Sequence, residues 1–215
     1  MSSEIKADKW SPASGTSATI GDSGDTYTIP SGVNFTNNGT ATGFGDPTLT
    51  SVQVFTSSGT YTRPTGVTKA MVYVTGAGGG GSGSGSRASG GGGGTAIKWV
   101  STGLGATESV TIGTGGAGSS SGNGSAGGTS SFGSHCSATG GAGGVGSSGD
   151  VNLTGGGGGA KQLATAGADS FWSGGGRGDD SNSGNGNGSN GGGGGVEVGN
   201  GGDGGNGLCW VLEYK

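Results

Sequence analysis

Residues 75–100 read TGAGGGGSGSGSRASGGGGGTAIKWV: close to half the positions are glycine, and the stretch ends in a plainly apolar run. Whether these glycines are slack linker or folded structure decides the reading of the whole chain. Glycine supplies 62 of the 215 residues, while only 27% of the chain is hydrophobic and 10% charged. Each glycine loses more backbone entropy on ordering than any other residue and has no side chain to bury in return, so disorder is the starting expectation.

Three observations oppose it. The apolar segments SVQVF, AMVYV, AIKWV, SVTIG and LCWVLEY recur between the glycine stretches, which Gly/Ser linkers do not require. The net charge is only -4, too small to hold a chain of this length open by self-repulsion. Proline occurs 4 times and no Gly-X-Y period runs through the glycines, which excludes a collagen triple helix.

The mildly acidic balance makes nucleic acid an unsuitable partner. The opening MSSEIKADKW has neither a basic n-region nor an apolar h-region, and no run of about 18 apolar residues occurs, so synthesis in the cytoplasm without a signal peptide is expected. Cys136 and Cys209 are too few for a disulfide framework or a zinc site, and buried free thiols are expected ahead of a bridge between them.

Residues 1–48 are rich in Thr, Asn and Asp, with short alternating apolar positions and turn dipeptides such as Ser31-Gly32. They are expected to form a few short strands that lean on a partner or on copies of themselves, an attachment or oligomerisation module preceding a glycine-rich domain over 49–215. Within that domain strands are expected near Val52–Phe55, at Lys69–Thr75, Ala96–Val100, Ser109–Ile112, Val151–Leu153 and Val196–Val198, and at Leu208–Tyr214, with a turn at Pro64-Thr65-Gly66. In Lys69–Thr75 both alternating faces are apolar, so both should be covered. No stretch sustains a 3.6-residue apolar period, so the fold class is all-β with almost no helix. Pairing KAMVYVTG with LCWVLEYK would make the glycine-rich interior one long excursion from a small β scaffold.

Four uninterrupted runs, 78–81, 90–94, 155–159 and 191–195, have the length for left-handed helices of three residues per turn. Where no residue carries a Cβ, such rods can lie side by side and hydrogen-bond to one another, which is polyglycine II. The uneven intervals between the runs show no tandem repeat and fit unequal loops joining equal rods.

The order VFTSSGTYTRPTGVTKAMVYVTGAGGGG, then ESVTIGTGGAG, GGGGG blocks and a terminal GGDGGNGLCWVLEYK resembles the glycine-rich domain of bacteriophage tail proteins over residues 49–215. The segment KADKWSPASGTSATIGDSGDTYTIPSGVNFTNNGTATGFG is similar to an N-terminal module of such proteins, and the glycine runs resemble receptor-binding adhesins of tail fibres, with a polyglycine II sandwich and variable loops at one end. The resemblance implies a virion tail protein, a host cell-surface receptor (a glycan or outer-membrane protein) as partner, other tail proteins bound through residues 1–48, and a homo-oligomer such as a trimer.

If rods are the scaffold, recognition belongs to loops with real side chains. The segment AKQLATAGADSFWSGGGRGDDSNSGNGNGSN places Phe171 and Trp172 near Lys161, Arg177 and Asp179, equipment for gripping a sugar or a protein surface; the plainer reading is that the two aromatics pin the loop to the scaffold. Other matches carry little. G-x-G-x-x-G arises by chance about five times at this glycine frequency, Arg177-Gly178-Asp179 is equally uninformative, and GGGGGAKQ lacks the residues of a phosphate loop. His135 is expected to be packed, and Asp179, Asp180 and Asp203 lack any calcium-loop spacing. No catalytic constellation, cofactor motif or metal cluster is visible, so an enzyme is the last of the readings, behind an adhesin, a purely structural fibre or decoration protein, and an ice-binding surface.

Overall fold

The computed structural model describes residues 31–32, 48–83, 88–142, 146–147, 149–158, 166–178, 186–196 and 199–215. Every element below belongs to the compact unit Gly45–Lys215. Of the segment read as an attachment module, only the turn at Ser31-Gly32 and Thr48 are described; its other expected strands and turns lie outside the described residues.

Among the described residues ten strands form, in the order β1 (Leu49–Phe55), β2 (Gly59–Thr62), β3 (Lys69–Thr75), β4 (Thr95–Val100), β5 (Thr107–Thr111), β6 (Ser130–Phe132), β7 (Cys136–Ala138), β8 (Gly146–Ser147), β9 (Val151–Leu153) and β10 (Leu208–Tyr214). They make two five-stranded antiparallel sheets, β1-β10-β3-β4-β9 and β2-β5-β6-β7-β8, and the described residues contain no helix. The fold is all-β, as the missing helical periodicity predicts. The expected pairing of the two most apolar segments is present: β10 lies against β3, with Val211 opposite Val72 and Cys209 opposite Val74.

Alternation assigns the faces. Ala70, Val72 and Val74 of β3, Ala96 and Val100 of β4, and Cys209 and Val211 of β10 turn toward the second sheet, where Tyr61, Val110, Phe132, Cys136 and Ala138 meet them in one buried core. Tyr61 and Phe132 meet edge to face with ring centroids 5.2 Å apart. Between β1 and β3 the sequence suggests a turn alone; the structure inserts β2, which crosses to the second sheet and buries Tyr61. Its one apolar residue, like the three-residue lengths of β6 and β7, is too little to register as periodicity. Val196 is buried but in no strand, and residues 197–198 of that expected strand lie outside the described residues.

At Gly76 and Gly94 the chain leaves β3 and enters β4, and the bonding changes from a ladder of period two to one of period three. Amides of the segment 76–82 donate in rotation to three neighbours. Gly76, Gly79 and Ser82 bond to the carbonyls of Gly94, Gly91 and Ala88; Ala77 and Gly80 to those of Gly128 and Ser125; Gly78 and Gly81 to those of Gly205 and Gly202, all at 2.8–3.0 Å. Carbonyls of the same segment accept from three more: Gly78 and Gly81 from Gly116 and Ser119, Ala77 from Gly141, Gly79 from Gly194. One backbone thus bonds to six others. A pleated strand has partners on two sides only, so these segments are not continuations of the sheets.

Absence of Cβ is what this spacing demands. A methyl group built on Gly80 would be driven into the Ala117 carbonyl, on Gly78 into that of Gly192, and on Gly116 into that of Ser125. The α-hydrogens therefore point at carbonyl oxygens, where each adds a weak contact of about 0.5–1 kcal/mol. The reversal between segments 186–189 and 192–196 passes through Asn190 at φ 40° and Gly191 at φ 88°, a conformation open to Asn and Gly.

Gly80→Ala is expected to destabilise the protein by about 1–3 kcal/mol through overpacking. Gly157→Ala, where a methyl meets nothing within 4 Å among the described residues, should leave it within about 0.5 kcal/mol. Denaturant midpoints of the two variants against the parent provide the check.

Candidate functional site

The segment 166–178 carries the aromatics that the sequence singles out. It folds back on itself at Ser170, whose Oγ accepts from the amides of Trp172 and Ser173 at 3.3 and 3.2 Å and donates to the Asn190 carbonyl at 2.7 Å. This serine turn directs Phe171 and Trp172 onto the outer face of the β3–β10 pair. Trp172 stacks on Trp210 with centroids 4.8 Å apart and meets Tyr73 edge-on at 5.6 Å. Phe171 stacks on Tyr73 at 6.4 Å and stands edge-on to Trp172 at 4.9 Å.

Trp172 is therefore an anchor, whereas Phe171 remains 50% exposed. Beside it opens a cleft of about 240 Å³, lined by Thr95, Leu153, Thr154, Asp169, Ser170 and the glycines at 93 and 155. Asp169 is fixed there, its Oδ1 accepting the Gly175 amide at 2.9 Å. An aromatic face with carboxylate and hydroxyl groups around a shallow cleft matches the amphipathic surface of a sugar ring or a polar loop.

Of the five residues selected from sequence, Phe171, Trp172 and Arg177 are described, and these three are not one cluster. Phe171 and Trp172 sit together at the sheet end of segment 174–178. Arg177 lies at its other end, beyond the Gly176 amide that bonds to Gly193, and is exposed. Lys161 and Asp179 lie outside the described residues. Sequence reading passed over Asp169, Ser170 and Thr154; the serine pair in Ser170-Phe171-Trp172-Ser173 is the signal that could have located the turn.

Four other chemistry-bearing groups among the described residues, His135, Glu108, Asp203 and Glu213, are tied into the fold by hydrogen bonds. His135 packs on Phe132 and its Nε2 lies 3.1 Å from Glu108 Oε1, which also accepts the Gly105 amide at 2.8 Å. Asp203, exposed, accepts the Gly118 amide at 2.7 Å. Glu213 is fully buried on β10, bonded to Ser51 Oγ and, at 2.9 Å, to Gln53 Nε2. Among the described residues no three His, Cys, Asp or Glu side chains gather to hold a metal, and no helix is long and apolar enough to cross a membrane.

The outer face of the first sheet is an apolar surface. Val54, Trp210, Tyr73, Ile97 and Val151 form one cross-strand row, and Val52, Leu212, Met71 and Trp99 the next. Phe171 and Trp172 pack on Tyr73 and Trp210 of it; Val52, Val54 and Val151 are 46%, 48% and 48% exposed.

With this geometry in view, the class is defined: a β-sandwich extended by laterally bonded glycine segments. The chain belongs to a family described as a glycine-rich domain, whose model matches residues 50–171. No curated protein matches the chain.

Cys136 and Cys209 are both buried and unbridged. Burial pushes the Cys136 thiol up to about 12 and raises Cys209 further. Burial, then the neighbouring Glu213 carboxylate, raises the Tyr61 phenol well above its ordinary value. All three protonated forms are favoured by folding, so their contribution is complete below the unfolded values and is lost as pH rises through the folded ones. Denaturant stability is expected to be flat from about pH 6 to 8 and to fall above about pH 9. At neutral pH, a thiol reagent should modify neither cysteine until the protein unfolds.

Proposed function

We propose that this chain is a bacteriophage tail protein of the virion that binds a host surface molecule, without catalysis, through side chains borne on a rigid polyglycine II lattice. The period-three bonding of segment 76–82 to six neighbours supports the polyglycine II assignment, since three residues per turn bring amide and carbonyl groups to all sides of a rod. The proposal includes synthesis in the host cytoplasm, attachment to other tail proteins through residues 1–48, and several copies per particle, such as a trimer. Several copies would multiply a weak single-site affinity.

The observation that carries the binding role is Phe171, an aromatic left half exposed beside the Asp169 cleft while its neighbour Trp172 is spent on anchoring. Carbohydrate receptors are gripped by such a pairing of ring face and fixed carboxylate. In this reading Arg177, Lys161 and Asp179 add further contacts to the receptor.

A second reading is favoured by the apolar rows through Val52, Val54 and Val151: a self-associating fibre or decoration protein with no receptor.

Purified protein should adsorb to host cells and compete with phage infection. Phe171→Ala is expected to weaken adsorption about tenfold or more, a loss of at least ~1.4 kcal/mol, with an unchanged denaturation midpoint. Trp172→Ala should lower stability as well. Filaments that ignore cells would favour the structural reading, and adsorption untouched by Phe171→Ala would remove this cleft from the receptor site.

A further inference from the structure

Among the described residues, one position around the central segment 76–82 is only half filled. The segment 139–141 occupies it near the sheets, where the Gly94 amide bonds to the Thr139 carbonyl, the Gly127 amide to the Gly141 carbonyl, and the Gly141 amide to the Ala77 carbonyl. Stepping three residues along each neighbour, away from the sheets, reaches the Gly91 amide, the Gly124 amide and the Gly80 carbonyl. None of these three groups has a hydrogen-bond partner among the described residues. They border a groove of about 310 Å³, closed at the sheet end by Gly141 and Ala142 and rimmed by Ser89, Asn123, Ser125 and Ala126. Its floor is glycine backbone.

Such a groove specifies its occupant. Two amides and one carbonyl, set in the register that segment 139–141 satisfies one turn earlier, call for a backbone offering two carbonyls and one amide at the same spacing. The residues facing the floor must lack Cβ, because in the filled half of this position a Cβ on Gly140 would be driven into the Gly127 carbonyl oxygen and one on Gly141 into the Gly91 carbonyl oxygen. An exposed glycine run meets both demands, and this chain displays one: Gly156, Gly157 and Gly158 are exposed, and Gly157 and Gly158 make no backbone hydrogen bond among the described residues.

We propose that the groove beside Gly91 and Gly124 is a binding site for a side-chain-free polypeptide segment, and that its occupant is the Gly155–Gly158 run of a second copy of this chain. The contact is heterologous, groove of one copy to run of the next, so it propagates into a ring or an open stack unless one end is blocked. It is independent of receptor binding and, within the self-associating reading, names the contact by which copies join.

Sedimentation of the full chain across a concentration series tests it. The parent should associate. Ala142→Trp, which fills the groove from an exposed position, and Gly157→Leu, which puts a side chain on the exposed run, should each weaken association by at least about tenfold. An equimolar mixture of the two variants, holding one intact groove and one intact run, should form a complex that stops at two chains. Acetylated pentaglycine amide should compete with parental association and shift the Gly91 and Gly124 amide resonances, while the pentaalanine counterpart does neither. Should Ala142→Trp fail to fold, Ser125→Trp fills the same groove. Association that survives both variants would overturn the proposal while leaving self-association through the apolar sheet face intact. Pentaglycine binding without self-association, or a parent that stays single, would overturn it as well.

Discussion

Everything in this molecule depends on how closely two bare backbones can approach. Where neither carries a Cβ, an amide reaches a carbonyl and an α-hydrogen reaches a second carbonyl within the same contact, so segment 76–82 bonds to six others. The entropy of ordering glycine is the obstacle, at roughly 1–2 kcal/mol per residue for the backbone alone. No single hydrogen bond, worth a net 0.5–1.5 kcal/mol, overcomes it by a clear margin. Only a segment bonded all round gathers enough contacts per residue, which is why glycine runs order collectively and why a lone run in a linker stays loose.

Collective order needs a nucleus, and the β-sandwich provides one. The strands that feed the glycine segments are the apolar ones: β3 into 76–82, 88–94 into β4, 201–207 into β10. Their core fixes the spacing and direction of the chains before the first glycine. The changeover is marked by Thr75 and Thr95, whose buried hydroxyls bond to each other at 2.8 Å where the ladder ends and the three-residue period begins. Strand alternation sends successive side chains to two faces; past this pair the segments 76–82 and 88–94 are glycine but for Ala77, Ser82, Ala88 and Ser89, and the hydrogen bonding recurs every three residues.

The fold was legible to the extent that apolar side chains carry it. Lys69–Thr75, Val151–Leu153 and Leu208–Tyr214 stand out by alternation and appear as strands with those bounds. Strands held by a single side chain, such as β2 with Tyr61, or by three residues, such as β6 and β7, leave no periodic trace. Phe171 and Trp172 were conspicuous as aromatics in a polar loop. Their division into exposed ring and anchor was not legible, because it is decided by Tyr73 and Trp210, distant in sequence on β3 and β10. Nor could sequence order show that Arg177, only five positions beyond Trp172, stands at the other end of a segment, since that requires knowing that 174–178 runs straight.

A period of three was nevertheless written locally, at the margin of the glycine block. In Gly201-Gly202-Asp203-Gly204-Gly205-Asn206-Gly207 the two side chains are three apart. Asp203 Oδ1 accepts from Gly118 at 2.7 Å and Asn206 Oδ1 from Gly115 at 2.9 Å, themselves three apart. On the remaining thirds of this segment, Gly201, Gly204 and Gly207 donate to Ser119, Gly116 and Gly113, while Gly202 and Gly205 donate to Gly195 and Gly192. Asp and Asn thus stand where a further row of glycine carbonyls would otherwise be needed, and their short side chains bring an acceptor to the last row of amides. Such residues end the lateral growth of a glycine array as charged side chains end the growth of a sheet at its edge. By the same logic the margin around Gly91 and Gly124, where no such acceptor reaches the free amides among the described residues, is a margin at which growth has not been stopped.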